Sequence, residues 1–355
     1  MAWPSSGSYT AWSKCFKCTS QASKISAVLS GYFLDLSLMP SAFWGAVQSD
    51  GDDLRFTEDD GETAVSHQLI YINVGATDGL VWVAQPHGSG GASADVDTYC
   101  YVGNAGASST STSAGYPSTL EALWMLQEAP TSSTAVVDWS GNGNGSTSIA
   151  GSMTSGDLIA GGPFAGLKSL DFDSNDRLVF PAALFNPCEA ASAFTFSCWN
   201  HPDDEDTDIG LFASEINQFQ LLHKNTNAIN ALLRNSTNSG EAIADSGLWQ
   251  QWWVDEWSLI HVTWDGSTLK AYLNGVERAS VAATSVRSVD SNFSLGRGYS
   301  AFWRGKIGPT AVHSSTYSAD QCATQYNNEA GTGFWVIAEV TGGGAANTTN
   351  FFLSA

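Results

Sequence analysis

The chain has 355 residues, more than twice the length of a typical domain, which predicts two domains. Hydrophobic residues make up 43% of the sequence, enough to form buried cores, so the composition argues against a disordered chain. The 35 acidic and 14 basic residues give a formal net charge of −21. A surface of this charge repels nucleic-acid phosphates and anionic membranes, so we expect neither as a partner, whereas it suits calcium.

The beginning of the sequence lacks the features of an ordinary signal peptide. Residues 1–21 contain no basic stretch followed by an apolar core. No apolar run approaches the roughly 20 residues that cross a bilayer, so membrane insertion is not expected. We expect either a signal peptide that has been removed or release by another route, such as lysis of a host cell by a phage.

Residues 1–103 have the pattern of a small β sandwich. Short apolar runs alternate with turn clusters, and four of these runs predict strands. The four runs are Val28–Leu38, Leu69–Val74, Leu80–Val83 and Thr98–Val102. A proline at the start of residues 40–47 predicts one short helix there. Residues 104–118 are small and polar and cannot bury much apolar surface, so we predict that they form a linker between the domains.

Residues 119–330 resume the β pattern and predict a second, larger sandwich, so that the whole chain is all-β. Apolar and polar residues alternate over Phe194–Trp199 and Leu259–Trp264, as in strands with one buried face. The run Leu269–Leu273 precedes Asn274-Gly275, a strong signal for a two-residue hairpin turn. Closely spaced short strands of this kind are typical of antiparallel sandwiches.

The C-terminal part predicts a helix and then an apolar tail. Ser318 precedes a run of helix formers that extends to Asn328, which predicts a short surface helix with a serine N-cap. The tail, residues 331–355, contains the strand-like run Phe334–Ala338 and ends with apolar residues. Exposed apolar strands are a liability, so two interpretations remain open. The tail is either a last strand on its own domain or an assembly strand donated to a neighbouring subunit.

Six cysteines are present, and two of them, Cys15 and Cys18, have the C-x-x-C spacing of zinc and redox sites. No second pair follows, so we favour a structural role for both. Cys198 alternates with Phe194 and Phe196, which predicts that it lies in a core. The connectivity of any disulfides stays open.

Several segments of the second half follow one another in a familiar order: Ala193–Trp199, Trp257–Gly266, Leu269–Val276, Phe293–Gly298, Phe302–Ile307 and Tyr317–Asn328. They resemble the strands and closing helix of laminin-G-like domains, of the concanavalin A-like lectin and glucanase class. The resemblance covers roughly residues 120–330 and implies an antiparallel jelly-roll sandwich. The first half resembles an uncharacterised domain that often precedes laminin-G-like domains in bacterial and phage proteins, through Phe43-Trp44, Ser49–Phe56 and Tyr99–Asn104.

Calcium is the cofactor that this resemblance implies, because laminin-G-like domains often hold one at the sandwich rim. Carboxylates supply the hard oxygen ligands that calcium prefers. The candidate ligands are Asp138, Asp171, Asp173 and Asp176, and Asp203–Asp206 is a further acidic run. The alternative is a set of solvated acidic loops, because Gly308 stands where the family has an acidic residue.

Sugar binding is the second property that the resemblance implies. Aromatic faces stack on sugar rings, and polar side chains orient the hydroxyl groups. The richest aromatic run, Leu248–Trp257, offers Trp249, Trp252 and Trp253 as candidates, whereas Trp257 matches a packed position of the family. The alternative for these tryptophans is a core or a subunit contact.

An enzymatic reaction is not expected. Glu58–Glu62 fits the E-x-D-x-E pattern of concanavalin A-like glucanases, but its composition is that of a solvated turn and it lies outside the resembling half. The sequence contains none of the common nucleophile, metalloprotease or phosphate-binding motifs. His261 lies within a predicted strand, where a structural role is the better interpretation.

Together these observations favour a non-enzymatic structural and adhesive protein on the surface of a phage particle. A capsid decoration, a head fibre and a tail appendage all fit, and each predicts a homo-oligomer that contacts other virion proteins and cell-surface glycans. The alternative is a bacterial extracellular or cell-surface carbohydrate-binding protein. A glycoside hydrolase is a weaker third interpretation, because the resembling half shows no paired acids.

Overall fold

The computed structural model describes residues 9–84, 94–164, 166–173, 175–203, 209–214, 219–223, 229–234, 241–245, 254–284, 292–298, 301–331 and 333–341. The chain divides into two compact units, one of residues 1–115 with 331–355 and one of residues 116–330. The division falls within residues 104–118. Among the described residues, no helix is both long enough and apolar enough to span a membrane.

The first unit begins with seven strands, one short helix and four 3-10 turns. The strands are β1 (Lys14–Ser20), β2 (Gly31–Asp35), β3 (Arg55–Thr57), β4 (Ala64–Val65), β5 (His67–Asn73), β6 (Asp78–Ala84) and β7 (Val96–Val102). The helix is α1 (Ser41–Trp44), and the 3-10 turns are Ala22–Lys24, Leu36–Leu38, Val74–Ala76 and Ser113–Gly115.

The second unit contains fifteen strands and two helices within the described ranges. The strands are β8 (Leu120–Trp124), β9 (Ser148–Ala150), β10 (Leu158–Ala160), β11 (Lys168–Phe172), β12 (Arg177–Phe180), β13 (Phe194–Pro202), β14 (Ile209–Ser214), β15 (Phe219–His223), β16 (Ile229–Arg234), β17 (Glu241–Asp245), β18 (Ser258–Trp264), β19 (Thr268–Leu273), β20 (Val276–Ala282), β21 (Phe293–Leu295) and β22 (Gly305–His313). The helices are α2 (Asn186–Ala191) and α3 (Ala319–Glu329), with 3-10 turns at Ser155–Asp157 and Ala182–Phe185.

The last described strand, β23 (Trp335–Glu339), belongs to the first unit. It pairs antiparallel with β1, and the Trp335 indole nitrogen donates a hydrogen bond to the Phe33 carbonyl at 2.8 Å. Trp335 and Ile337 pack against the core of that unit. Of the two interpretations of the tail, the structure shows these residues paired within their own chain. Residues 342–355 lie outside the described residues.

The first unit is a small antiparallel sandwich, as the sequence predicts. One sheet has the order β23-β1-β7-β3-β4 and the other has β2-β6-β5. The core between them takes Phe16, Cys18 and Cys100 from the first sheet and Leu34 and Val81 from the second. Burial of these apolar side chains is the main stabilising contribution, at about 25 cal/mol for each Å² removed from water.

The two cysteines of the C-x-x-C spacing lie on β1 and face opposite sides of its sheet. Cys18 packs in the sandwich core, whereas Cys15 packs against Tyr99 and Tyr101 on the other side. Residues three apart on a strand alternate in direction, so the two thiols cannot share a metal ion. Burial raises the pKa of both thiols, which favours the unreactive protonated form.

Residues 104–115, predicted to be linker, are held on the first unit by hydrogen bonds. The Gln48 side chain donates to the carbonyls of Asn104 and Ala107, and Arg55 donates to that of Ser108. The segment has too little apolar surface to be held by burial. Hydrogen bonds from side chains of the first unit to its backbone carbonyls hold it instead.

The second unit is a larger antiparallel sandwich, as the sequence predicts. In the described part of the chain, one sheet has the order β10-β11-β22-β13-β18-β19-β20, with β8 also paired to β22, and the other has β17-β16-β15-β14-β21-β12-β9. Aromatic side chains from both sheets fill the core. Phe196 stacks on Phe212 with ring centroids 4.4 Å apart, and Trp124 stacks on Phe180 at 3.7 Å. We call the first of these sheets the front sheet.

Local sequence signals explain two connections of this unit. The β19–β20 hairpin turns through Asn274 and Gly275, both at positive φ, as a type I′ turn requires. Helix α3 begins after Ser318, whose hydroxyl accepts from the Gln321 amide while the Gln321 side chain accepts from the Ser318 amide. This reciprocal capping satisfies two otherwise unpaired donors at the start of the helix.

Candidate functional site

Helix α3 covers the middle of the outer face of the front sheet. Strand β13 alternates, so Phe196 and Cys198 point into the core while Trp199 points outward to the helix. The Trp199 ring stacks on Tyr326 of α3, and its indole nitrogen donates to Glu329 at 2.5 Å. The helix therefore removes this part of the sheet face from solvent.

Beyond the helix, three adjacent strands carry half-buried side chains at one end of the same face. Asp171 on β11 pairs in register with Lys306 on β22, and Lys306 pairs in register with His201 on β13. Residues opposite one another in register project from the same face. The register of β22 against β13 shifts by one residue between Cys198 and Asn200, opposite Gly308-Pro309. This bulge is what brings Lys306 beside His201.

Two loop carboxylates and an indole join this row at the rim of the sheet. The His201 Nδ1 atom lies 3.1 Å from the Asp203 Oδ1 atom, and the Lys306 Nζ atom lies 3.9 Å from the same oxygen. Ligand atoms of His201, Asp203 and Asp255 all lie within 4.8 Å of one another. The Trp257 ring meets the His201 ring edge to face, with centroids 5.5 Å apart. We call this group the rim cluster; its members are Asp171, His201, Asp203, Asp255, Trp257 and Lys306.

Backbone contacts hold the rim loops in place. The Asp203 amide donates to the Arg304 carbonyl at 3.1 Å, and the Asp255 amide donates to the Pro202 carbonyl at 2.8 Å. Gly305 has a φ of 119°, and a Cβ there would lie 2.2 Å from the His201 carbonyl oxygen. Glycine is therefore required for the two strands to approach at this point.

The electrostatics of the rim cluster are mixed. Burial raises the pKa of Asp171, the neighbouring Asp203 charge raises it further, and Lys306 opposes both. Asp203 and Asp255 are exposed, Asp171, Lys306 and Trp257 are half-buried, and the His201 side chain is 12% exposed. The cluster therefore offers solvent two carboxylates, an ammonium group and part of an indole ring.

The four aspartates predicted as calcium ligands do not form one site. Among the described residues, the only His, Cys, Asp and Glu side chains that converge in a group of three are His201, Asp203 and Asp255. Asp171 lies in the rim cluster, and Asp173 is exposed in the turn that follows β11. Asp138 and Asp176 lie elsewhere and are engaged in hydrogen bonds.

The Asp138 carboxylate accepts from the backbone amides of Leu123, Ser140 and Asn144 at 2.9–3.0 Å and from the Ser140 hydroxyl at 2.8 Å. The buried Asp176 carboxylate accepts from the Ser152 amide at 2.6 Å and the Asp173 amide at 3.0 Å. These bonds close two loops in the manner of turn-capping aspartates. The donor set therefore does not fit a calcium ion held by the predicted four residues.

The three candidate sugar-binding tryptophans, Trp249, Trp252 and Trp253, lie outside the described residues. Trp257, matched in sequence to a packed position, is half-buried. The segment Glu58–Glu62 forms a turn after β3, where Asp60 accepts hydrogen bonds from the amides of Glu62 and Thr63. Its acids therefore do not line one face of a strand.

Sequence reasoning singled out Asp203 and Asp171 but not His201, Asp255 or Lys306. A signal for His201 was present, because it ends a strand whose alternation places it on the outer face and an acidic run follows. Asp255 and Lys306 carry no comparable signal, because only the strand order brings them near His201.

The fold and this rim define an all-β protein whose larger unit is an antiparallel sandwich of the lectin and glucanase kind. Residues 172–323 match a laminin-G family model of the concanavalin A-like lectin/glucanases superfamily. Residues 50–117 match a family model described only as a domain of unknown function. No curated protein sequence matches the chain.

Several solved structures are similar to part of the chain. Domain 4 of an extracellular arabinanase from Geobacillus stearothermophilus, in complex with arabinotriose, is 15% identical, with 59% of this chain and 98% of that chain covered and a TM-score of 0.40. The binding domain of botulinum neurotoxin DC in complex with SialylT is 9% identical, with 60% and 52% covered and a TM-score of 0.43. The same binding domain in complex with rat synaptotagmin II is 10% identical, with 59% and 52% covered and a TM-score of 0.45. The chain spans about half the length of these neurotoxin domains.

Proposed function

We propose that the second unit is a non-enzymatic carbohydrate-binding module and that the rim cluster is its contact with sugar. The observation that carries this proposal is the grouping of the partly exposed Trp257 ring with His201 and Asp203 at one end of the central strands of the front sheet. An apolar ring face supplies stacking, and charged groups orient sugar hydroxyls by hydrogen bonds. The match of residues 172–323 to a family model of a superfamily that includes lectins supports it.

Binding without chemistry is the better interpretation of the three rim carboxylates. A glycosidase needs one carboxyl group that its surroundings keep protonated beside a second that is ionised. Asp203 and Asp255 are both exposed, and Lys306 lies beside the first of them. Burial raises the pKa of Asp171, but Lys306, in register with it, opposes that shift. We therefore expect no hydrolysis of the sugars that the protein binds.

A glycan array tests the proposal, followed by titration of the best ligands. We expect Trp257→Ala to lose at least tenfold in affinity, because it removes the stacking surface. Trp139→Ala is the matched control, since Trp139 is also half-buried in the second unit and lies outside the rim cluster. An array without hits, or equal binding by Trp257→Ala and the wild type, would contradict the proposal.

The earlier candidates Trp249, Trp252 and Trp253 give the competing location within the same function. Substitution Trp252→Ala separates the two locations. If the rim cluster binds the sugar, this variant keeps its affinity while Trp257→Ala loses it. The reverse result would move the sugar contact to the tryptophan run.

We further propose that the protein is displayed in many copies on a phage particle, where weak contacts add through multivalency. Support comes from the resemblance of the first unit to a domain common in bacterial and phage proteins. Mass spectrometry of purified particles tests this display. Detection of the chain on bacterial envelopes, with a signal peptide removed, would favour the alternative of a bacterial cell-surface protein.

Display on a particle also predicts a homo-oligomer, and a monomer at micromolar concentration would count against this display.

A further inference from the structure

We propose that His201, Asp203 and Asp255 bind a divalent cation of the zinc class rather than calcium. The proposal concerns a metal that the chain itself would hold, and it stands whether or not the rim cluster binds sugar. It differs from the sequence expectation in both the ion and the ligands.

The donor set selects the metal. Calcium takes six to eight oxygen ligands, and an imidazole nitrogen is not among them. Zinc and its neighbours in the first transition series accept imidazole nitrogen together with carboxylate oxygen, commonly with three protein ligands and one open position. One histidine and two aspartates match that second pattern.

The separations of the ligand atoms fit a small tetrahedral ion. Bonds of about 2.0–2.1 Å at tetrahedral angles place ligand atoms roughly 3.3 Å apart. The His201 Nδ1 and Asp203 Oδ1 atoms are already 3.1 Å apart. All three ligand atoms lie within 4.8 Å, and the exposed Asp255 side chain can close the remaining distance by rotating about its own bonds.

The ligands come from two chain segments that are joined beside the site. Asp255 is fixed to the end of β13 by the hydrogen bond from its amide to the Pro202 carbonyl. Less conformational entropy is lost on metal binding when the ligands are already gathered.

Lys306 is the group that opposes a cation here, at 3.9 Å from the Asp203 Oδ1 atom. It also lies in register with Asp171. A bound ion with two charges would displace the ammonium group from Asp203, and Asp171 offers it a second carboxylate.

Coordination uses the lone pair of His201 Nδ1, so the bound ring is neutral and carries its hydrogen on Nε2. A proton added to the ring would occupy that lone pair, so metal binding weakens as the pH falls.

The experiment titrates Zn²⁺ into the full chain after treatment with EDTA, by calorimetry and by metal analysis after dialysis. We expect one ion per chain in the wild type, at least tenfold weaker binding in His201→Gln and in Asp255→Asn, and no change in Asp173→Asn. Asp173 is the matched control because it is an exposed aspartate of the same unit outside the rim cluster.

Two further measurements identify the site. Co²⁺ should give the visible absorption of a tetrahedral ion in the wild type and lose it in His201→Gln, and Ca²⁺ at equal concentration should not displace Zn²⁺. Circular dichroism checks that each variant is folded. Absence of stoichiometric Zn²⁺ binding, unchanged affinity in folded His201→Gln, or displacement by equimolar Ca²⁺ would each overturn the proposal.

Discussion

Two groups at the outer face of the front sheet each combine a histidine, a tryptophan and a carboxylate. Between the sheet and α3 these are His261 and Trp199 of the sheet with Glu329 of the helix, which we call the sealed network, and all three are buried. Beyond the helix they are His201, Trp257 and Asp203 of the rim cluster. Trp199 and His201 are two residues apart on β13, so one strand supplies both groups. The covering helix, rather than residue type, separates a structural group from an accessible one.

Hydrogen bonds within the sealed network join Glu329, Trp199 and one ring nitrogen of His261, whereas the buried His261 Nδ1 atom has no hydrogen-bond partner among the described residues. The Glu329 carboxyl accepts from the Trp199 indole at 2.5 Å and from the Gln325 amide at 2.9 Å, and His261 Nε2 lies 3.1 Å from the Gln325 oxygen. Buried polar groups of this kind fix how α3 sits on the sheet, because each loses its partner if the helix shifts. The rim cluster leaves hydrogen-bonding positions open to solvent, which is what a binding site requires.

The largest effect that we predict concerns Glu329. Burial raises the pKa of this carboxyl to about 7, and the bonds from Trp199 and Gln325 only partly offset the burial. As the pH rises from about 4.5 to 7, the unfolded chain releases this proton while the folded protein retains it, so this group lowers stability across that window. Substitution Glu329→Gln should therefore gain about 3 kcal/mol in unfolding free energy, relative to wild type, between pH 4.5 and 7.5.

Urea titrations at several pH values measure this difference. Glu277→Gln is the control, because Glu277 is an exposed carboxylate on the same sheet that pairs with Lys270 at 2.9 Å. Its effect should stay below about 1 kcal/mol at every pH. Parallel pH profiles for wild type and Glu329→Gln would show that α3 does not seal the carboxyl.

The second prediction sharpens the contrast between the two histidines. Burial lowers the pKa of His261 to about 4, and the bond to Gln325 only partly opposes this. Below about pH 6.5 His261 is protonated in the unfolded chain but stays neutral in the folded protein. The stability that the neutral, buried ring contributes is therefore lost as the pH falls toward 4. At pH 5 the loss is about 2 kcal/mol. NMR of labelled histidines should show His261 still neutral at pH 5, and a ring that titrates above pH 6 would contradict the sealed environment.

A smaller effect on the free energy of unfolding should distinguish carboxylates that accept hydrogen bonds within a loop from carboxylates that are exposed to solvent. Asp176→Asn should lower the unfolding free energy by about 1.5 kcal/mol, because an amide group replaces one of the oxygens that accept from Ser152 and Asp173. Asp173→Asn, in the same turn, should change it by less than about 0.5 kcal/mol. For wild-type protein first freed of metal with EDTA and dialysed, thermal unfolding with calcium and with EGTA should give identical curves. A calcium-dependent shift that Asp176→Asn abolishes would restore the original assignment.

These aspartates also show where sequence reasoning ends. Asp138 and Asp176 have the residue type and the loop context of calcium ligands, and the same carboxylate can accept backbone amides instead. Whether such a carboxylate binds calcium or backbone amides depends on whether the loop folds so that its amides point at the carboxylate oxygens. The order of residues in the sequence does not show this. Strand pairing limits the prediction of the rim cluster in the same way, because the neighbours Asp171, His201 and Lys306 are far apart in sequence.

Local signals succeeded where the physics is local. The turn at Asn274-Gly275 and the cap at Ser318 are each decided within a few residues, and the structure contains both. Strand β1 had no such signal, because Lys14–Ser20 buries residues on both faces and does not alternate. Its second partner, β23, lies more than 300 residues further along the chain.

The smallest effect on stability should accompany a large loss of metal affinity, at Asp255. Its φ of 60° lies in the left-handed region, which asparagine tolerates as well as aspartate does, and its side chain is exposed. Asp255→Asn should therefore change the unfolding free energy by less than about 0.5 kcal/mol. The same substitution replaces a charged carboxylate ligand at the rim by a neutral amide, so metal affinity should fall although the fold is intact. Paired urea and Zn²⁺ titrations measure both quantities in one protein. If a folded Asp255→Asn variant kept full metal affinity, the Asp255 carboxylate would not be a metal ligand. The rim cluster would then differ from the sealed network in offering only His201 and Asp203 to a ligand.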